Sequence, residues 1–538
     1  MNELGPPGQP SRQKHYPGFD DETYLRLNPD VRLAVMSGKF RNGQDHYEHY
    51  GRAEGRMVAI PSDTKRGQLL VTNGARTGTD LSKPPSLAVD SIQVSPSGGI
   101  LLVGWINDTL DPLDSITLYA PGWVYTFDHT ALARVSRPDA RDVLGHTADH
   151  AHGVWGFSFV AQALPSGVCY AVLRLQSGRE LGLMANADPV SDIELRGMAL
   201  TQLAQAAYPG SKYFGAVASI APSIGTQLAA LNRILTNRAI AGPYVRQFGP
   251  RKPRYRGSII ICLYGRPEYM FLQAALFSRL SDFADYEFIY VSNSPELAET
   301  LLSEAQRCAH IYGLSVSLII LQGNAGFGSA NNAAIAFAAS DRLMFMNPDV
   351  FPRATDWAAR HTALLEAVPA AQSALFGAPL YYDDGSLMHG GMFFATDSAP
   401  CFINGRMVET QILRVEHYGK GAPPDTPSFL RPRPVPAVSG AFISASRVLF
   451  ERLGGFSQEY IFGHYEDADL CLKSIMAGHP PWLHNLPLWH LEGKGSHRHA
   501  AHEGASVVNR WLFTKIWAEP LVHTLLGPTP AHPALAVR

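Results

Sequence analysis

The chain is poor in cysteine, and its charges almost cancel. Only five cysteines occur among 538 residues, scattered and odd in number, which argues against a disulfide framework and favours a reducing compartment. A net charge of −2 gives no general attraction to nucleic acid. The N-terminus lacks the basic start and apolar core of a signal peptide, and no uninterrupted apolar stretch reaches membrane-spanning length. We expect a cytoplasmic protein, with peripheral contact at the inner membrane as an alternative.

The composition changes along the chain and predicts several segments. Short alternating runs separated by Gly, Pro, Asp and Asn are typical of an antiparallel β-sandwich, whereas alternating strand and helix patterns are typical of an α/β domain. The predicted segments are a disordered stretch at 1–18, a small helical module at 19–60, a β-sandwich at 87–195, a helical linker at 196–250, an α/β domain at 254–520 and a tail at 521–538.

Two features outside the α/β domain have a plain and a sharper interpretation. Trp105, Trp123 and Trp155 are candidates for a sugar-stacking platform, but tryptophans in such a domain more often fill the core, and we favour the core. Five basic residues between Arg246 and Arg256, with no acid among them, predict a solvated linker, with contact to anionic lipid as the alternative.

The α/β domain begins with a strand pattern at Ser258–Tyr264. Further strands are predicted at 286–291, 316–321 and 343–346, with helices at 269–280, 295–313 and 333–339. This alternation predicts a doubly wound, mainly parallel sheet. A glycine-rich loop, 323–332, follows the third strand and is suited to phosphate. It matches neither the dinucleotide fingerprint nor the Walker motif, which counts against a dehydrogenase and a P-loop enzyme.

The strand at 343–346 ends in Asn347-Pro348-Asp349. Ligands gather at the carboxyl ends of strands in such sheets, and a carboxylate there can bind a divalent cation that in turn binds a diphosphate. The tripeptide alone is weak evidence, because Asn28-Pro29-Asp30 in the same chain predicts an ordinary turn between two helices. The position after a buried strand makes the second occurrence a candidate site. An acidic cluster at 466–469 and His490 follow downstream.

Seven short motifs occur in order over this domain. They are Asn324-Ala325-Gly326-Phe327-Gly328 with Asn331-Asn332, then Asn347-Pro348-Asp349, Asp384 to Gly391, Ser439-Gly440-Ala441, Gly454-Gly455-Phe456, Glu466 to Lys473, and His490 with Glu492 and Gly495. Together they resemble the family 2 glycosyltransferases of GT-A fold, in the rhamnosyltransferase-like and polysaccharide-assembly branch. The helical and β-sandwich segments, including Arg137-Pro138-Asp139, resemble modules that accompany bacterial glycosyltransferases.

This resemblance implies roles for individual residues. Asp349 corresponds to the last residue of the Asp-x-Asp motif and is expected to hold Mg²⁺ or Mn²⁺ with His490, while Asp467 corresponds to the general base of an inverting transfer. The implied donor-binding residues are Tyr264, Arg266, Ser292, Asn324, Gly326, Asn331, Asn347 and Asp349, and Glu466 and His389 are placed on the acceptor side. Relatives often carry an acid after the second strand, but this chain has Ser292-Asn293-Ser294, so the nucleobase stays open.

The implied partners are a nucleotide-sugar donor and a glycan or lipid-linked saccharide acceptor, in bacterial surface polysaccharide synthesis. Asp469 is expected to be structural, and the C-terminal histidines are not expected to bind zinc. Residues 395–435 are expected to form an acceptor-side loop. A non-catalytic glycan-binding or scaffolding protein with a relic domain is the main alternative. A nucleotidyltransferase is another, but it usually needs a basic glycine-rich loop after the first strand.

Overall fold

The computed structural model describes most of the chain, which divides into two compact units. Described residues are 19–51, 70–72, 87–136, 152–207, 212–367, 374–403, 406–429, 431–491 and 499–526. Those up to Val190 form the first unit except Phe157–Phe159, which group with the second unit from Ser191 onward. The expected disordered segment at 1–18, the Arg137-Pro138-Asp139 motif, Glu492 and Gly495 lie outside the described residues.

The first unit begins with three short helices. They are α1 (Asp21–Leu27), α2 (Pro29–Met36) and α3 (Gly43–His46). Asp20 caps α1 by accepting a hydrogen bond from the backbone N–H of Glu22 at 3.2 Å. Asn28 separates α1 from α2, and Pro29 occupies the first turn of α2, where no N–H donor is needed. The first Asn-Pro-Asp sequence is therefore a helix junction.

Nine strands follow in one hydrogen-bonded sheet. They are β1 (Leu70–Thr72), β2 (Leu87–Val94), β3 (Gly99–Ile106), β4 (Leu113–Ala120), β5 (Trp123–Asp128), β6 (Leu132–Ser136), β7 (His152–Phe159), β8 (Gly167–Leu175) and β9 (Glu180–Pro189). The order is β5-β4-β8-β9-β2-β3-β7-β6, with β1 on β9. β9 pairs in parallel with both β1 and β2, so the expectation of a purely antiparallel sandwich is wrong there. Parallel pairing is possible because these strands are far from β9 in sequence and no tight turn joins them.

The tryptophans of this unit are buried. Trp105 and Trp123 are each 6% exposed, and Trp155 is 2% exposed. The indole N–H of Trp123 donates to the backbone carbonyl of Pro165 at 2.9 Å. These residues contribute to packing, as the core interpretation predicts, and do not form an exposed sugar platform.

The second unit opens with helices and a mixed sheet. Its elements up to the predicted metal strand are α4 (Asp192–Ala207), α5 (Lys212–Gly215), α6 (Ala221–Ile240), β10 (Tyr244–Phe248), β11 (Gly257–Leu263), α7 (Glu268–Arg279), β12 (Tyr286–Ser292), α8 (Ala298–Tyr312), β13 (Val316–Ile320), α9 (Phe327–Ile335) and β14 (Arg342–Met346). Strand β10 falls in the segment expected to be a helical linker. Helix α9 begins six residues before the predicted position, so Asn331 and Asn332 lie inside it.

The remaining elements complete this unit. They are β15 (Val350–Pro352), α10 (Trp357–Ala367), β16 (Phe376–Gly377), β17 (Leu380–Tyr381), β18 (Leu387–His389), β19 (Met392–Ile403), β20 (Arg406–His417), β21 (Arg433–Pro434), β22 (Phe442–Ser446), α11 (Arg447–Arg452), α12 (Glu466–Met476), β23 (Trp482–Leu483), β24 (Leu488–His490) and α13 (Ala500–Leu526). No helix among the described residues has both the length and the apolar character needed to cross a bilayer.

The order of the main sheet creates a crevice at its centre. The strands run β10-β13-β12-β11-β14-β22-β16-β23-β21. β13, β12, β11 and β14 are parallel, so chain order reverses between β11 and β14. These strands are buried on both faces, which explains their continuous apolar sequences. Ligands of such sheets bind outside the carboxyl ends of the strands at this reversal point.

The expected loop at 395–435 is largely a long β-hairpin. β19 and β20 pair antiparallel from Met392 with His417 to Ile403 with Arg406. The hairpin packs on α13, where the hydroxyl of Thr514 accepts the backbone N–H of Leu413 at 3.1 Å. The expectation of a loop is therefore wrong for this part, because alternating residues form a regular ladder despite the proline in β19.

Candidate active site

One cavity of about 290 Å³ opens at the reversal point of the main sheet. Tyr264 follows β11, and Asn347 to Asp349 follow β14, so the two central strands deliver their ends to it. Glu466 and Asp467 at the start of α12 line the same cavity, as does His490 at the end of β24. The described structure thus brings together the carboxylates and the histidine that the sequence predicts as a site.

Asp349 and His490 are neighbours because of a small separate sheet. Val350 of β15 pairs directly with His490 of β24, and the backbone N–H of Leu491 donates to the carbonyl of Asp349 at 3.0 Å. A carboxylate oxygen of Asp349 lies 3.4 Å from Nε2 of His490. Asp349 is 2% exposed and His490 is 6% exposed. The turn before Asp349 is fixed by the Gln273 amide, which donates to the carbonyl of Asn347 at 3.0 Å.

The donor atoms of this pair suit a divalent cation that shares its coordination with a ligand. One carboxylate and one imidazole are compatible with Mn²⁺, and carboxylate oxygen also suits Mg²⁺. Among the described residues no group of three or more His, Cys, Asp or Glu side chains is arranged to hold a metal alone. A cation between Asp349 and His490 would therefore need oxygens of a bound diphosphate and water. Residues 492–498, which follow His490 closely, lie outside the described residues.

The two acidic residues at the start of α12, Glu466 and Asp467, have different surroundings. The carboxylate of Asp467 accepts the backbone N–H of Gly440 and that of Ala468, both at 2.8 Å. Burial raises its pKa, and these two hydrogen bonds oppose that shift. Burial, followed by repulsion from Asp467, raises the pKa of Glu466 to about 8. Glu466 therefore keeps its proton near neutral pH, whereas two backbone N–H donors hold the carboxylate form of Asp467.

Asp469 has a packing role in the same helix. It forms an ion pair with Lys473 at 2.6 Å and accepts the indole N–H of Trp517 at 2.9 Å. It does not line the cavity. This placement agrees with the structural role expected for it.

Tyr264 and Asn324 line the cavity on the side expected for the donor. The Asn324 side chain hydrogen-bonds the Tyr264 hydroxyl and also accepts the backbone N–H of Gly326 at 2.9 Å. Gly326 has φ +82° and lies against the backbone of Phe462, where an added Cβ would come within 3.0 Å of the Phe462 carbonyl oxygen. Gly326 shapes the cavity from behind its wall.

Besides Gly326, four predicted site residues lie outside the cavity lining. Arg266 pairs with Glu268, which raises the pKa of Arg266, as Asp349 does more weakly. Ser292 is fully buried and bonds within its own turn, and the Asn331 amide donates to the carbonyl of Phe327 at 2.9 Å. His389 is 1% exposed, and its Nδ1 lies 3.0 Å from Nδ1 of His417. These four side chains therefore do not form part of the cavity wall.

The cavity also includes residues that the sequence motifs do not predict. His417, at the end of the β19–β20 hairpin, lines it, as do Phe462 and His502. The Asn404-Gly405 dipeptide between alternating runs is the sequence signal for the hairpin. Asn293 also reaches the lining, but its side chain is occupied, since it donates to Gly326 and accepts from Ala325. No comparable sequence signal marks Phe462 or His502.

Part of the chain is similar to a known protein. No protein-family model matches the chain. The uncharacterized protein y4gI of Sinorhizobium fredii (strain NBRC 101917 / NGR234) is 27% identical over 210 residues, which cover 37% of this chain and 21% of that protein. The chain thus spans about a fifth of the length of that relative.

Two solved structures show a weak likeness. GalNAc-T7 with UDP, GalNAc and Mn²⁺ gives a TM-score of 0.34 at 14% identity, covering 53% of this chain and 52% of that one. The mannosyltransferase PcManGT from Pyrobaculum calidifontis with GDP-Man and Mn²⁺ gives 0.31 at 15% identity, covering 63% and 89%. TM-scores of this size do not establish a common fold.

Proposed function

We propose that this protein is a metal-dependent glycosyltransferase that moves a sugar from a nucleotide diphosphate donor to a hydroxyl of a glycan or lipid-linked saccharide. The observation that carries the proposal is a single cavity at the reversal point of the sheet. It combines the Asp349–His490 pair with the acidic pair Glu466 and Asp467. A cation site and a carboxylate base in one cavity are what transfer from a diphosphate requires.

The donor is proposed to lie across the ends of β11 and β14. Tyr264 and Asn324 are available to contact the nucleoside, and Asp349 with His490 would hold a Mg²⁺ or Mn²⁺ ion on its diphosphate. When bound, that cation would neutralise the charge that develops on the leaving diphosphate. No carboxylate from the β12 end is present at Ser292 to Ser294, so recognition of the base would rely on amide, hydroxyl and aromatic groups.

The proposed reaction is a single displacement. The acceptor hydroxyl attacks the anomeric carbon, the bond from that carbon to the diphosphate oxygen breaks, and the bonding electrons leave with the diphosphate. Asp467, acting as a carboxylate, takes the hydroxyl proton. Glu466, which keeps a proton, can donate a hydrogen bond to the acceptor. Attack opposite the leaving group inverts the configuration at the anomeric carbon.

The wider role is part of the same proposal. Family 2 membership, a rhamnosyltransferase-like activity and a place in bacterial surface polysaccharide synthesis are supported by the ordered motifs alone. Peripheral membrane contact is supported by the basic segment near Arg251, although Lys252 and Arg256 there both pair with Asp285.

The test is a panel of UDP-, GDP- and dTDP-sugars with Mn²⁺, with release of nucleoside diphosphate as the readout. We expect the wild type to release nucleoside diphosphate from one of these donors, and the double variant Asp349→Ala/Asp467→Asn to release none. Donor binding without release, by calorimetry, would instead favour the non-catalytic glycan-binding alternative. Release of pyrophosphate from a nucleoside triphosphate and a sugar phosphate would favour a nucleotidyltransferase.

A further inference from the structure

The loop at 461–465, directly before Glu466, has an unusual backbone. Three of its residues are not glycine yet have positive φ: Phe462 at 62°, His464 at 77° and Tyr465 at 76°. Side-chain-bearing residues rarely adopt these conformations, and they persist only when the surroundings hold them. Phe462 and His464 line the cavity, so the 461–465 loop is both a wall of the site and the lead into the helix that carries Asp467.

Asn509 of α13 holds this loop from one side. Its side chain is fully buried and hydrogen-bonds the loop backbone. Its Oδ1 accepts the N–H of Ile461 at 2.8 Å, and its amide donates to the carbonyls of Ile461 at 3.0 Å and Gly463 at 2.7 Å. One amide thus satisfies several backbone groups of a strained segment that has no regular hydrogen-bond ladder.

Arg196 of α4 holds the loop from another side. Its guanidinium carbon lies 4.6 Å from the ring centroid of Phe462, within the range of a cation–π contact. Arg196 is 4% exposed, and Nη1 donates to Asn232 of α6 at 2.7 Å. The ring of His502, on α13, lies 4.7 Å from Phe462 as well. The ring that forms the cavity wall is therefore fixed by groups on α4 and α13.

The two holding helices are packed closely on each other. An added Cβ on Gly504 of α13 would come within 1.9 Å of the carbonyl oxygen of Leu200 of α4, so the helix backbones are nearly in contact. Arg196 and Asn509 are thus mounted on one helical pair behind the site.

We infer that Asn509 and Arg196 are positioning residues for the transfer reaction: they hold the 461–465 loop so that Asp467 and the Phe462 wall face the acceptor. This inference rests on the proposed function of Asp467 as the base. Neither residue lines the cavity, so each acts through the loop. A misplacement of about 1 Å at a reacting group can lower a rate on the order of a hundredfold.

The experiment compares Asn509→Ala with Leu521→Ala in the full-length protein. Leu521 lies in the same helix, is 4% exposed and belongs to the apolar core, so its truncation supplies a matched loss of packing. We expect Asn509→Ala to lower kcat at least about tenfold while the affinity for the nucleoside diphosphate with Mn²⁺ changes less than about threefold. Leu521→Ala should leave kcat within about twofold when assayed well below its Tm. Equal losses in the two variants would overturn the inference.

Arg196→Met supplies a second variant that keeps packing volume but removes the cation. It should also lower kcat with little change in nucleotide affinity, and Arg196→Lys should restore part of the rate.

Hydrogen exchange gives a readout that does not depend on turnover: amides of 461–465 should exchange faster in Asn509→Ala and not in Leu521→Ala. If the wild type transfers no sugar, the proposed function fails. Unchanged hydrogen exchange of 461–465 in Asn509→Ala would separately refute the inference that Asn509 holds this loop.

Discussion

Asp349 is the residue on which the proposed metal use would depend. It lies 3.4 Å from His490 inside the cavity, and the described residues contain no group of three or more His, Cys, Asp or Glu side chains that could hold a metal alone. We expect Asp349→Ala to abolish transfer while circular dichroism and Tm stay near wild type, and EDTA to inhibit the wild type until Mn²⁺ is added back. Asp356→Asn, at an exposed carboxylate, is the control. Full turnover in EDTA would remove the metal from the mechanism.

A substitution at Asp467 tests whether this residue is the general base. Asp467→Asn keeps the shape of the side chain, and its amide oxygen can still accept the N–H of Gly440, but the group cannot take a proton. We expect kcat to fall at least about a hundredfold with donor affinity nearly unchanged. Kinetics and calorimetry on one preparation measure both quantities. A collapse of donor affinity with kcat retained would make Asp467 a binding residue.

The protonation of Glu466 leads to a prediction about how activity depends on pH. Its pKa is raised to about 8 by burial and by Asp467, with a smaller effect from Asp469, so the protonated form dominates at neutral pH and is lost as the pH rises through that value. If the proton is donated to the acceptor, kcat/KM should fall above about pH 8. Glu466→Gln keeps an N–H donor that does not titrate, and it should retain activity and lose this alkaline limb. An unchanged limb in Glu466→Gln would assign it to another group.

At the scale of elements, the four parallel strands could be predicted because strands buried on both faces are continuous apolar runs. The hairpin at 392–417 was predictable in principle, since Asn404-Gly405 stands between alternating runs. The register that pairs Val350 with His490 was not predictable from local sequence, because it joins distant segments. The hydrogen bonds from Asn509 to the 461–465 loop could not be predicted from local sequence either, because side-chain bonds to a distant loop leave no periodic pattern in the sequence.

Gly326, at the junction of β13 and α9, leads to a prediction about stability. Gly326 has φ 82° and ψ 169°, a conformation essentially limited to glycine, and it touches the Phe462 backbone. We expect Gly326→Ala to destabilise the fold by about 1–3 kcal/mol and to displace the 461–465 loop. Gly385→Ala is the matched control, since Gly385 also has positive φ (88°) but nothing within 4 Å of an added Cβ. Denaturant unfolding compares them, and equal losses would show that the contact with Phe462 contributes nothing.

At the scale of the whole molecule, the second compact unit extends further toward the N-terminus than the predicted α/β domain. The compact unit begins at Ser191, whereas the expected α/β boundary lies at residue 254. The intervening helices are built into the packing: an added Cβ on Gly225 of α6 would come within 2.4 Å of the Trp511 ring on α13. Removing α4 and α6 would therefore expose an apolar face of α13 and release the 461–465 loop.

Two truncations distinguish these boundaries. A chain starting at Ser191 retains both helices, so we expect it to fold with one cooperative transition and to bind nucleoside diphosphate with Mn²⁺ as the full chain does. A chain starting at residue 245 should aggregate, or unfold at a clearly lower temperature, because α13 loses its partners. Calorimetric unfolding and nucleotide titration measure both effects. If the shorter chain is monomeric and binds nucleotide normally, the helices are a dispensable linker, and a role of α4 in placing Asp467 would have to be given up.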